Sequence, residues 1–108
     1  MKQNIFDISN VILNIDDNEY FEDLHEQENI RIERIVSCGQ TTPVDKWLEE
    51  SNSEWVVVVQ GEACLVFDTN ETFVLKAGDH LLIPSNQKHR VSYTSSTPEC
   101  IWIAVHQK

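Results

Sequence analysis

The chain has 108 residues, 41% of them hydrophobic, and 18 acidic against 8 basic side chains give it a net charge of −10. That length suits one compact domain and that apolar share suffices for one core, while no apolar run approaches the roughly 20 residues of a membrane-spanning helix. So few Lys and Arg, scattered along the chain, exclude a reader of nucleic-acid phosphates, and neither a nucleic-acid partner nor a membrane is expected.

The N-terminus, Met1 to Asp7, has no signal-like apolar stretch, and Cys38, Cys64 and Cys100 form no Cys-x-x-Cys pair. A cytoplasmic protein without a disulfide framework is therefore expected. Cys64 and Cys100 fall inside apparent strands and read as small core residues, whereas Cys38 precedes Gly39 in a loop.

Residues 1–29 read as an N-terminal arm. Phe6, Ile8, Val11, Ile12 and Leu13 suit a short strand or a segment packed on the core. Asp16-Asp17 could cap a short helix through Leu24, with Tyr20, Phe21 and Leu24 on one face. His25 lies in this acidic stretch and reads as a surface residue.

From Ile30 to the end of the chain the signals are those of strands, in one barrel domain spanning residues 30–108. Ile30 to Glu33 alternates and Ile35-Val36 follows. Trp55 to Val59 is a continuous β-branched run that suggests a strand buried on both faces. Gly61-Glu62 is a turn, Ala63 to Phe67 alternates, Asp68 to Glu71 turns again, and Thr72 to Lys76 is a short strand. Ala77-Gly78-Asp79 leads into His80 to Ile83. Pro84 to Lys88 is a loop, His89 to Thr94 a strand, and Glu99 to His106 a last strand with Cys100, Trp102 and Ala104 on one face. Short strands with turn signals at this spacing indicate an antiparallel sandwich or barrel.

Within that frame Gly78, Pro84 and His89 stand at the spacing of the second cupin signature, with Asn86 in place of its internal glycine and Tyr93 in place of its final asparagine. Glu54 and Gly61 match the second half of the first signature, and Gly39 can serve as its opening glycine. The chain thus resembles the cupin superfamily, over about residues 30–106, and in particular small single-domain bacterial cupins. The resemblance implies an all-β double-stranded β-helix, a jelly-roll barrel, with a short N-terminal arm or helix. It also implies a pocket for a small-molecule ligand and a homodimer.

The family's His-x-His pair is missing. Counted forward from Gly39 its positions fall on Asp45 and Trp47; counted back from Glu54 they fall on Trp47 and Glu49 or on Leu48 and Glu50. Of the three histidines and one glutamate that hold metal in metal-dependent cupins, the resemblance leaves Glu54 and His89. Glu49 or Glu50 could join them, in an oxygen-rich site suited to zinc, manganese or nickel rather than to redox iron. The alternative is that these glutamates decorate a loop and His89 is a hydrogen-bonded core residue.

Tyr93 lies two pleats along from His89 and should share its inward face. Trp47, in the segment that replaces the His-x-His pair, is expected at the pocket mouth, and Trp55 and Trp102 in the core. His80 reads as a surface or strand-edge residue and His106, at the end of the last strand, as exposed. Two functions follow as expectations: a binding protein for a small polar metabolite, or a metal-dependent isomerase, lyase or oxygenase-like enzyme using Glu54, His89 and a nearby carboxylate.

Overall fold

The computed structural model describes residues 1–11 and 18–108. Eight strands follow one another: β1 (Tyr20–Gln27), β2 (Ile30–Ser37), β3 (Glu54–Gln60), β4 (Glu62–Phe67), β5 (Thr72–Lys76), β6 (His80–Ile83), β7 (His89–Thr94) and β8 (Cys100–Gln107). They form a five-stranded sheet in the order β1-β2-β8-β3-β6 and a three-stranded sheet in the order β5-β4-β7. Every pairing is antiparallel. This is the jelly-roll arrangement that the resemblance implied, and an antiparallel barrel of the kind the turn spacing indicates.

The core lies between the two sheets. Alternation along β3 buries Val56 and Val58, and the same period buries Ala63, Leu65 and Phe67 on β4 and Cys100, Trp102 and Ala104 on β8. The outer face of β3 is only half covered: Trp55, Val57 and Val59 are partly exposed, so this strand is not buried on both faces. Trp55 packs instead on the ring of exposed His80, with centroids 5.4 Å apart.

Register sets the inner face in rows. Ile35, Trp102 and Val58 stand level, as do Glu33, Ala104 and Val56, and then His106 and Glu54. Ile83 lies opposite Glu54 on the other side of β3. The apolar rows fill the barrel's middle and the polar row closes one end.

The N-terminal expectation needs correction. Tyr20–Gln27 is a strand, not the end of a helix, and the turn at Glu28-Asn29 joins it to β2 as a hairpin. The boundary drawn at residue 29 therefore falls inside one hairpin of the main sheet. Backbone pairing with β2 over the whole length of β1 outweighs a local helical pattern of three apolar residues. Asp16 and Asp17, the supposed cap, lie outside the described residues, as do Ile12 and Leu13. Ahead of them, the segment of residues 1–11 is tied to the sheet by buried Arg34. Its Nη1 donates to the carbonyls of Ile5 (3.0 Å) and Asp7 (2.7 Å), and Nη2 pairs with Glu22 at 2.7 Å.

Candidate functional site

A cavity of about 280 Å³ lies between the sheets at the polar end of the barrel. Ile35, Val56, Leu65, Ile83, Val91 and Trp102 form its apolar walls. Its polar groups are Glu19, Glu33, Glu49, Glu50, Glu54, His89 and His106. No Lys or Arg among the described residues lines it. A wider groove of about 640 Å³ runs under the N-terminal segment, but the Arg34 within it is already committed to the Ile5 and Asp7 carbonyls and to Glu22.

His106 is the centre of the polar end. It is only 7% exposed, so the expectation of a surface residue is overturned. Its place on β8 explains this: Trp102, Ala104 and His106 share one face, and that face looks into the barrel. Nε2 donates to Glu33 Oε1 at 2.9 Å and lies 3.8 Å from Glu54 Oε2. Nδ1 is buried without a hydrogen-bond partner and lies 3.5 Å from Glu50 Oε2. Glu33 in turn accepts from Arg31 Nη1 at 2.9 Å on its other oxygen.

These contacts shift the titrations. The hydrogen bond to Glu33 holds the His106 imidazole above its ordinary range, against the opposing effect of burial. Burial pushes the Glu54 carboxyl up. Burial also acts on Glu33, but the hydrogen bonds from His106 and Arg31 outweigh it and leave this carboxyl below its usual value. The signs follow by linkage. The His106 contribution to stability is complete below pH 6.5 and is lost as pH rises through the raised value. Glu54 acts in the same direction from pH 4.5 upward, while the Glu33 contribution is lost only as pH falls below 4.5. Chelator-treated protein should therefore melt at a lower temperature at about pH 9 than at about pH 5.5. A melting temperature that climbs over that span would contradict the pairing.

His89 is also buried and lines the cavity, as the alternation of β7 predicts. Its Nδ1 is within 2.9 Å of the Gln87 carbonyl, which only accepts, so Nδ1 carries a proton and donates. The segment opposite is held to it by backbone. Leu48 and His89 exchange N–H···O=C bonds of 2.7 and 3.0 Å, and Asn86 N–H donates to the Glu50 carbonyl at 2.7 Å. Asn86 has the positive φ, 63°, that its motif position requires. This lacing brings Glu50 over the cavity. Glu50, Glu54 and His106 then place one ligand atom each within 4.8 Å of one another, a grouping able to hold a metal ion.

Of the residues expected at the site, the structure puts Glu54, His89 and Glu49 on the cavity wall, but Glu50 rather than Glu49 joins the cluster. His89 stands outside the cluster of three. Trp47 and Tyr93 are off the wall. Tyr93 is 48% exposed because Ser92 is an extra residue between the pairs Val91–Leu65 and Tyr93–Cys64, a β-bulge that reverses which side chains point inward. Trp47 is turned outward, 42% exposed, under the guanidinium of Arg90 at 5.9 Å. Glu33 and His106 were the residues missed. Continuing the Trp102–Ala104 alternation two positions would have reached His106; nothing local marks Glu33.

Residues 36–106 match the family model described as "Cupin domain". A Ralstonia eutropha JMP134 protein named "putative mannose-6-phosphate isomerase" is 32% identical, with a TM-score of 0.87 over 100% of this chain and 98% of that one. A lyase, DMSP lyase DddQ of Ruegeria pomeroyi DSS-3, shares the fold at 15% identity and a TM-score of 0.70, over 83% of this chain and 47% of its own. The Escherichia coli (strain K12) "RCS-specific HTH-type transcriptional activator RclR" is 38% identical over 53 residues, 49% of this chain and 19% of that protein. "Uncharacterized protein YdbB" of Bacillus subtilis (strain 168) is 41% identical over 51 residues, 46% of this chain and 45% of its own. The aligned part thus spans less than half the length of either of these two relatives.

Proposed function

The chain belongs to the cupin family, and on that premise we propose that its barrel cavity binds a divalent transition metal on His106, Glu54 and Glu50 and presents it to a small polar ligand. The observation that carries this reading is the orphaned Nδ1 of His106. A buried nitrogen without a partner is costly unless something binds there. Glu33 accepts from Nε2 and so fixes the ring's orientation, with Nδ1 facing Glu50; an ion held there would take the place of the Nδ1 proton. Two ligands of one tetrahedral ion at roughly 2.1 Å stand roughly 3.4 Å apart, and Nδ1 lies 3.5 Å from Glu50 Oε2. The donor set, one imidazole and two carboxylates, suits zinc, manganese or nickel.

When bound, the ion supplies a Lewis acid that polarises a ligand oxygen. The chain's own residues do the rest. Glu33 holds the His106 ring, His106 and Arg31 keep Glu33 ionised, the apolar walls line the inner part of the cavity, and His89 presents its imidazole on the same wall. Such a pocket serves either a binding protein or an isomerase or lyase. The name of the Ralstonia protein points to a sugar phosphate, but among the described residues the wall carries five glutamates and no Lys or Arg, which offers a phosphate no Lys or Arg counter-charge.

Equilibrium dialysis of the chelator-stripped chain against zinc, manganese and nickel tests the reading. One ion retained per chain is expected for at least one of the three. Protein that stays metal-free against all of them contradicts it.

A further inference from the structure

The cavity has a second polar pole. Glu19, just before β1, lines it at the end away from His106 and accepts a short hydrogen bond from the Ser37 hydroxyl. Trp102 Nε1 can only donate, and it does so to Ser37 Oγ at 3.3 Å. The single Ser37 proton is therefore spent on Glu19. Glu33 and Ser37 lie four residues apart on the same face of β2, roughly 13 Å along the strand, and the charge of Glu33 still acts on Glu19. Ile35, Val91 and Trp102 lie along the cavity wall as well.

A carboxylate offers about four lone-pair sites. Among the described residues, Ser37 fills one of those at Glu19. No Lys or Arg of the described residues lines the cavity to neutralise it; Arg31 and His106 are bonded to Glu33, and Glu49, Glu50 and Glu54 leave the other end acidic as well. Burial pushes the Glu19 carboxyl up, as expected of an acid that lacks a cation. A group that brings both positive charge and N–H donors completes this pole; an anion meets repulsion from both ends.

We propose that the small ligand of this cavity is an amine with a short apolar skeleton, its ammonium docked on Glu19 and its hydrocarbon part on Ile35, Val91 and Trp102. The inference rests on the cavity being the ligand site but not on the metal, so the two can fail separately.

The test uses chelator-treated full chain titrated with n-butylamine, n-butanol and butyrate. The Trp102 indole N–H resonance is the reporter, because its partner Ser37 also holds Glu19. Butylammonium should give a saturable shift at a concentration at least about tenfold below that of butanol, as a charge-assisted hydrogen bond exceeds a neutral one by about this much. Butyrate should give no saturable shift. Glu19→Gln should abolish the preference for the amine, while Glu28→Gln, exposed and off the cavity wall, should leave it in place; melting curves of both variants confirm that they fold. Equal responses to the three probes, or an amine preference that survives in Glu19→Gln, would overturn the proposal. Zinc uptake without amine binding sinks this inference alone, and amine binding without metal uptake sinks only the metal reading.

Discussion

Gly61→Ala should destabilise the fold by about 3 kcal/mol or more, enough to remove much of the stability of a chain this size. Two independent costs add. The residue has φ of +80°, where an L side chain costs about 1–2 kcal/mol. A Cβ at this position would also collide with Ser95 Oγ and come within 2.9 Å of the Glu99 carbonyl and 3.0 Å of Cys100 Cα. Two of these three neighbours are backbone, and Ser95 is held by its hydrogen bond from Glu62 N–H, so the site cannot simply open. Gly78 is the control. Its φ is +96°, but a Cβ there meets nothing within 4 Å. Gly78→Ala should therefore pay only the backbone cost of about 1–2 kcal/mol. Urea unfolding of the two variants beside the parent checks the difference; equal losses would show that close packing around Gly61 does not matter.

His106→Ala should weaken metal binding by at least about 100-fold, since even outer partners of metal ligands are worth about 10–100-fold. It also strips Glu33 and Glu54 of the group between them, so the stability of this variant will suffer. His106→Gln keeps a polar side chain of similar reach without an imidazole, and should lose metal to the same extent while folding. His89→Ala is the contrast. His89 lines the cavity but stands outside the cluster of three, so its removal should cost less than about tenfold. Competition against a chromophoric chelator measures all three variants. If His89→Ala were the more damaging change, the ligand set would have to be redrawn around the residue that the signature match singles out.

Much of the fold was legible because it rests on local rules. The glycines at Gly61 and Gly78, the proline at Pro84 and the period-two apolar pattern mark turns and strands from Trp55 to His106 without any knowledge of tertiary contacts. Glu54 and His89, singled out by their signature positions, both stand on the cavity wall. What was not legible depends on pairing between distant segments. β1 is a strand because β2 lies beside it. Tyr93 turns outward because one extra residue, Ser92, is tolerated opposite β4. The donor that joins the cluster from the replaced His-x-His segment is Glu50, because Leu48 is stitched to His89 and the Glu50 carbonyl to Asn86. His106 and Glu33 meet across the β2–β8 pairing from opposite ends of the chain, 73 residues apart. A polar residue on a strand reads as outward-facing until its partners are known, and here the partners are one another.

The proposed ion site on His106, Glu50 and Glu54 would be located directly by diffraction. Anomalous diffraction from crystals grown with zinc, recorded on both sides of the zinc edge, tests it most directly. A single strong anomalous peak is expected in the cavity, bonded to His106 and to the two carboxylates, with Glu33 still on Nε2. A peak on His89 without His106, a peak confined to exposed His25 or His80, or no peak within the cavity would contradict it.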